Sequence, residues 1–269
     1  MGPTGVPIVS WNEGEHLYRV GSDRFLKRWD DARGRFLLFK NDQPVSVAEW
    51  NQAVNRAHPM AQKSAHPNPL IRWVERQRFR ITERLGDCPA RRILDIGCES
   101  GQVTARRLGG SGLSLLADLD SGMLRENRRK NGSAAAIPAM AANVTRLPFR
   151  DGSLDLIFCT EVLEHLERPE EAVGELARVL APGGRLVVSV PNDRWIVAIK
   201  TMLKRLGLRG FLGPLSDDLA MGHIQLFSAG TLRRLLQGPF EVRRLFLSFP
   251  FRLNFFAVGT KSTDKGAGR

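Results

Sequence analysis

Arg92-Ile-Leu-Asp-Ile-Gly-Cys-Glu-Ser-Gly101 is the stretch that decides the fold. Ile93 to Ile96 reads as a short apolar strand interrupted only by Asp95. Gly97 and Gly101 bracket a tight turn, and Gln102 to Leu108 reads as a helix. Glycines let a backbone come close to a ligand, and a helix start offers N–H groups without intrahelical partners. A strand, a glycine turn and a helix start together make a cradle of nucleotide size. Such a cradle gains weight from carboxylates and turns spaced correctly downstream of it.

Asp118 comes seventeen positions after Gly101, at the end of the apolar run Leu113-Ser-Leu-Leu-Ala117. A carboxylate at the tip of a second strand is placed to accept hydrogen bonds from ribose hydroxyls. Asn143 follows an alanine-rich stretch, where an amide can meet a base edge. Asp151-Gly152 is a turn, and Leu154 to Cys159 is a strand. Glu161-Val-Leu-Glu-His-Leu166 opens a loop or helix. Ala181-Pro-Gly-Gly184 is a sharp turn into a strand from Arg185 to Val190.

This series of spaced motifs resembles the class I S-adenosylmethionine-dependent methyltransferases of the small-molecule type (methyltransferase domain 11-like). The likeness rests on Leu94-Asp-Ile-Gly-Cys98, Asp118-Leu119 with Met123-Leu124, Leu147-Pro-Phe149, Asp151-Gly-Ser-Leu-Asp155, Glu161-Val-Leu-Glu-His165, Arg178-Val-Leu-Ala-Pro-Gly-Gly-Arg185 and Pro191-Asn192. It covers roughly Ile71 to Gly259 and is specific for fold and cofactor, hardly for the acceptor. The resemblance implies a Rossmann-like, doubly wound, mostly parallel seven-stranded α/β sheet with a C-terminal antiparallel pair. It also implies that Asp95, Gly97 and Gly101 cradle the cofactor and that Asp118 binds its ribose. Leu119 would pack on the adenine, Asn143 with the Val144 N–H would read the adenine edge, and Thr160 would lie near the sulfonium. Two positions depart from the family pattern. Glu99 stands where the middle glycine is usual, and would hydrogen-bond the amino-acid end of the cofactor or crowd it. Asn143 stands where an aspartate is usual and keeps a carbonyl acceptor.

A chain of 269 residues fits one α/β domain plus an extension. No apolar run approaches the ~20 residues that span a bilayer. The start, Met1-Gly-Pro-Thr-Gly-Val-Pro-Ile-Val9, does not read as a signal peptide, and Val6 stands where a myristoylation signal wants Ser or Thr. Cys88, Cys98 and Cys159 form no Cys-x-x-Cys. That suits a reducing cytoplasm and argues against a zinc site or a disulfide frame, and no metal is expected. The net charge of +12 favours phosphate-bearing partners or simply reflects an arginine-rich, GC-rich genome.

Residues 1–66 form an N-terminal α+β extension rich in aromatic side chains, among them Trp11, Tyr18, Phe25, Trp29, Phe36, Phe39 and Trp50. Phe25–Trp29 and Arg35–Phe39 read as a hairpin, and Ser46-Val-Ala-Glu49 as a capping box that starts a short helix to about Ala57. The extension serves as a substrate wall or as a packing appendage. Residues 67–260 are the methyltransferase domain, with a first helix over Asn68 to Leu85. Within it, 193–222 is a substrate-side insertion whose Trp195, Ile199, Met202 and Leu206 share a helix face beside Lys200, Lys204 and Arg205. That helix lines an acceptor pocket, lies on an anionic membrane surface, or packs on the core. Gly207 suits its stop, Ser228 is an N-cap, and Phe240–Phe249 with Phe255–Thr260 alternate as two strands. Residues 261–269 are expected to be a disordered tail.

Methyl transfer needs positioning more than acid–base machinery, so no catalytic dyad is required of the sequence. His223, which opens the segment after the insertion, is the candidate base for an oxygen acceptor; its plain alternative is a hydrogen-bonded loop histidine. The expected activity is methyl transfer from S-adenosylmethionine to a small or lipid-like acceptor at oxygen or carbon, in the cytoplasm or at its membrane face. Thr160-Glu-Val-Leu163 lacks the Asn/Asp-Pro-Pro-Tyr pattern of base-amino methyltransferases, which counts against nucleic acid. A module that binds the cofactor without catalysis is the other alternative.

Overall fold

The protein is described by a computed structural model over residues 8–12, 15–20, 22–33, 35–47, 49–51, 69–98, 112–122, 124–125, 137–207 and 223–262. Glu99, Gly101, Met123, the expected helix over 102–108 and nearly all of the tail lie outside these residues. The chain divides into two compact units, each considered by itself.

The larger unit comprises Gln62–Leu163, Arg168–Pro191 and Ser228–Arg269. It opens with helix α1 (Pro69–Leu85). Leu85 is buried with Phe79 and Ile81 against Leu156, Phe158 and Val187, while Arg76, Arg80 and Arg84 face water. Strands β6 (Arg92–Ile96), β7 (Leu113–Asp118) and β8 (Ala139–Ala141) follow in parallel. β9 (Leu154–Thr160) then pairs with β6 on its other side. Helix α2 (Pro169–Val179) places Glu170 and Glu171 in its first turn and Arg178 in its last, each complementing the helix dipole. β10 (Leu180–Pro191) carries the Ala181–Gly184 turn as a bulge, where the register on β9 steps from Leu180↔Leu154 to Arg185↔Leu156. Gly183 accepts the left-handed φ of 75° that the bulge needs.

Ser228 caps α4 (Ala229–Leu236) through a reciprocal box with Thr231. The antiparallel pair β11 (Phe240–Leu247) and β12 (Asn254–Lys261) closes the sheet, as the alternation predicts. The seven strands run β11-β12-β10-β9-β6-β7-β8. β6, β9 and β10 are nearly continuous buried runs because helices cover both faces of a parallel sheet. Strand order reverses between β6 and β9, and ligands of open α/β sheets sit beyond the carboxyl ends at such a point.

The smaller unit comprises Met1–Ala61, Glu164–Glu167 and Asn192–Phe227. The expected hairpin is present as β3 (Asp23–Asp30) and β4 (Arg35–Lys40), with Phe25 opposite Lys40 and Asp30 opposite Arg35. It is the middle of a five-stranded antiparallel sheet completed by β1 (Ile8–Asn12), β2 (Glu15–Val20) and β5 (Gln43–Pro44). These three strands lack a clean apolar alternation, so the sequence does not announce them. Phe25, Phe36, Leu38 and Trp50 are buried with Ile224, and Trp50 meets Phe25 edge-on at 5.6 Å. The Ser46 box forms as expected: the Glu49 N–H donates to Ser46 Oγ (3.2 Å), and the Ser46 N–H donates to the Glu49 carboxylate (2.9 Å). Helix α3 (Asp193–Arg205) follows β10, and Gly207 at φ 72° suits its stop. Trp195, Met202 and Leu206 on one side of it are exposed.

Candidate active site

The residues expected to hold the cofactor stand at the carboxyl ends of β6, β7, β8 and β9. Asp95 is 1% exposed, in register with Leu116 and Phe158 of the neighbouring strands. A carboxylate placed there is costly to bury without polar compensation, so packing alone does not account for it in a strand interior. Gly97 leaves the strand at φ 71°, and its N–H donates to Ala117 O (2.8 Å). A Cβ built on Gly97 would stand 2.2 Å from Val162 Cγ2, so the turn admits glycine alone. Asp118 ends β7, and its Oδ1 accepts from the Asp120 N–H at 3.0 Å, which fixes the carboxylate at the strand tip. Leu119 beside it is 75% exposed, an apolar surface of the kind that a flat ring covers.

Asn143 follows β8 and is exposed, with its carbonyl oxygen already accepting from the Thr145 N–H and hydroxyl, both at 3.0 Å. That uses both carbonyl lone pairs, so an adenine amino group could only take one of these places. The Val144 side chain is buried beneath the turn. Thr160 closes β9 and is 7% exposed. The structure thus gathers Asp95, Gly97, Asp118, Leu119, Asn143, Val144 and Thr160 on adjoining strand ends of one sheet. This donor set fits a nucleoside cofactor: a carboxylate at the second strand tip, an exposed apolar contact, and a close-approach glycine.

Two further groups escaped sequence reasoning. Glu161 takes a left-handed φ of 57°, a strained backbone for a non-glycine residue. Its carboxylate accepts from Ser189 Oγ (2.8 Å) and from Asn254 Nδ2 (3.1 Å to each oxygen). The three residues come from β10, β12 and the end of β9, and nothing in their sequence spacing links them. The second group is Arg178. Its guanidinium binds the Glu175 carboxylate (2.7 and 2.8 Å), Asp151 Oδ1 (2.6 Å) and the carbonyls of Phe149 and Leu147. Glu175 also accepts the Leu147 N–H at 2.6 Å, so α2 holds the loop that follows Asn143.

Arg178 holds the Glu175 carboxyl below its ordinary range, with the Leu147 N–H assisting against burial. Arg92 likewise lowers Asp155, which also accepts the Arg91 and Arg92 N–H groups. A carboxyl depressed by folding contributes stability that is present above its unfolded pKa and is lost as pH falls through the folded value. The urea midpoint should therefore hold at neutral pH and decline below about pH 4.5, near ordinary carboxyl values. Arg178→Ala should lower the midpoint at neutral pH and flatten this acid decline. An unchanged acid profile in the variant would show that the cluster contributes nothing to folding.

His223 lies in the smaller unit, 8% exposed. Its Nδ1 pairs with Asp193 Oδ1 at 2.9 Å, and its backbone carbonyl accepts from the buried Lys27 Nζ at 3.0 Å. A carboxylate only accepts, so the Nδ1–H is directed at Asp193 and Nε2 is the ring nitrogen left for other contacts. The segment is pinned: Ile224 N–H donates to Glu164 O (2.8 Å), and Phe36 N–H donates to Ile224 O (3.0 Å).

A doubly wound sheet with a reversed C-terminal strand pair and a carboxylate at the tip of its second strand defines the class I S-adenosylmethionine-dependent methyltransferase fold. Residues 94–188 match the methyltransferase domain family model. The ubiquinone/menaquinone biosynthesis C-methyltransferase UbiE of Vibrio campbellii is 37% identical over 109 residues, 38% of this chain and 42% of that protein. The demethylmenaquinone methyltransferase of Renibacterium salmoninarum is 30% identical over 125 residues, 45% of this chain and 51% of that protein. The chain thus spans about half the length of these relatives, or less. Among solved structures, magnesium protoporphyrin IX methyltransferase of Synechocystis with bound cofactor superposes with a TM-score of 0.59 at 14% identity, covering 81% of this chain and 98% of that one. The N-methyltransferase NodS of Bradyrhizobium japonicum gives 0.56 at 18% identity, covering 79% and 98%. These likenesses establish the fold.

Proposed function

We propose that the protein transfers a methyl group from S-adenosylmethionine to a small or lipid-like acceptor, at carbon or oxygen. The observation that carries this reading is the placement of Asp118 beside exposed Leu119 at the strand tip next to the Gly97 turn. Asp118 would hold the ribose hydroxyls, Leu119 the adenine face, and the Val144 N–H with Asn143 the adenine edge. Asp95, Gly97, Glu99 and Gly101 would hold the methionyl end, with Thr160 near the sulfonium. The cofactor supplies the electrophilic methyl, and these residues supply its orientation.

The names of the two relatives concern quinone biosynthesis, which favours an apolar ring as acceptor. The exposed Trp195, Met202 and Leu206 of α3 are the apolar surface that would receive such a molecule, with exposed Arg194 and Arg205 toward water or anionic headgroups. No helix among the described residues is long and apolar enough to cross a membrane, so contact with a bilayer would be peripheral. His223 would serve the acceptor, its Nε2 lone pair taking the proton of an oxygen nucleophile.

Calorimetry with S-adenosylhomocysteine, followed by labelled-methyl transfer to short-chain quinols, tests the reading. Asp118→Ala should weaken binding by about 1.5–3 kcal/mol, the scale of hydrogen bonds to a charged group, or roughly 10- to 150-fold. His223→Gln should leave binding unchanged and lower transfer. Absence of saturable binding by the intact chain at millimolar ligand would sink the proposal.

A further inference from the structure

The buried charged and polar side chains of the smaller unit, among the described residues, are Lys27, Glu164, Asp193 and His223, and they converge on one place. Lys27 donates to the His223 carbonyl, Asp193 holds His223 Nδ1, and the Ile224 and Gln225 N–H groups donate to Glu164 O. His165 adds a second imidazole, its ring centre 5.2 Å from that of His223. One potential ligand atom from each of Glu164, His165 and His223 lies within 4.8 Å of the others. Burying so much polarity is unfavourable unless the groups pair with one another or hold an ion.

We propose that Glu164, His165 and His223 bind a divalent first-row transition-metal ion. Two imidazoles and one carboxylate are a donor set for zinc and its neighbours. Ligands at 2.0–2.2 Å on a tetrahedral ion stand roughly 3.3 Å apart, so the observed spacing closes onto an ion by side-chain rotation of about an ångström. Asp193 supplies what a metal-bound histidine needs. By accepting from Nδ1–H it holds the ring and leaves Nε2 as the nitrogen to ligate the ion. Among the described residues, the buried side chains of this unit with a formal charge are the carboxylates of Glu164 and Asp193 and the ammonium of Lys27. The set uses none of the three cysteines, which is why cysteine spacing gave no sign of it.

Three protein ligands leave at least one coordination position open. An oxygen of the acceptor would take it. This last step alone rests on the methyltransferase reading; ion binding does not. With an ion in place His223 is a ligand, and the ion instead of the imidazole lowers the pKa of the bound acceptor hydroxyl.

The test uses the tag-free full chain, stripped with EDTA and titrated with Co²⁺ by visible absorption and with Zn²⁺ by calorimetry. One equivalent per chain with ligand-field bands of a low-coordinate Co²⁺ is expected. His165→Ala and His223→Ala should each weaken binding at least tenfold, and Asp193→Asn by about 10- to 100-fold. His165 is only half-buried, so its variant keeps the fold, which circular dichroism checks. Absence of stoichiometric binding overturns the proposal, as does binding that both histidine variants leave unchanged. S-adenosylhomocysteine affinity, measured on the stripped protein, should be unaffected; this separates failure of the metal site from failure of the methyltransferase reading.

Discussion

Gly97→Ala should cost about 2–5 kcal/mol of folding stability and abolish most cofactor affinity. The residue sits at φ 71°, where an L side chain costs roughly 1–2 kcal/mol because its Cβ crowds the carbonyl oxygen. The added methyl also meets Val162 Cγ2 at 2.2 Å, an overlap of the kind that costs ~1–3 kcal/mol when a packed site must shift. The two contributions can be separated. Gly97→Ala with Val162→Ala removes the overlap and leaves the backbone cost, so urea unfolding should recover part, not all, of the loss. The Gly97 and Cys98 N–H groups both donate to Ala117 O, so a displaced turn also disturbs the strand that carries Asp118. Wild-type stability together with wild-type S-adenosylhomocysteine affinity in Gly97→Ala would falsify this account of the cradle.

Trp50→Ala should be the most destabilising change in the smaller unit, at about 3–5 kcal/mol, the range for deleting a buried aromatic side chain. Trp50 is fully buried and is the largest side chain in its cluster. It meets Phe25 edge-on, and both belong to the cluster that includes Ile224, the neighbour of His223. Loss of that support should loosen the His223 segment and lower metal affinity more than cofactor affinity. Thermal unfolding with and without Zn²⁺ checks this: the stabilisation by Zn²⁺ seen in the parent should shrink in the variant. Equal stabilisation in both proteins would show that the aromatic core does not govern the site.

The positions of the expected cofactor residues on the sheet were legible because their determinants are local. Asp95, Gly97 and Asp118 fall at fixed offsets from strands that apolar runs announce, and the structure places them on adjoining strand ends. The helix over Pro69–Leu85, the Ser228 cap and the closing pair β11–β12 were equally readable, since each depends on periodicity or on a short-range hydrogen bond. Glu99 and Gly101 were read from the same motif, but they lie outside the described residues. The five-stranded sheet was only partly visible. Its middle hairpin has an apolar alternation, whereas β1, β2 and β5 are defined by the partners they pair with.

By itself the sequence determined the doubly wound sheet, most of its strands and the carboxylate and glycine positions at the strand ends, because hydrophobic period and turn chemistry act over a few residues; it did not announce β8, and it started β10 at Arg185 where the strand begins at Leu180. Only the tertiary structure decided three things. It joined Glu161 to Ser189 and Asn254, set Arg178 over the loop after Asn143, and brought Glu164 and His165 to His223 with Asp193 behind it. Each of these joins side chains far apart in the chain, or fixes a rotamer and tautomer. Such contacts are set by how elements pack, and no local pattern in the sequence records them.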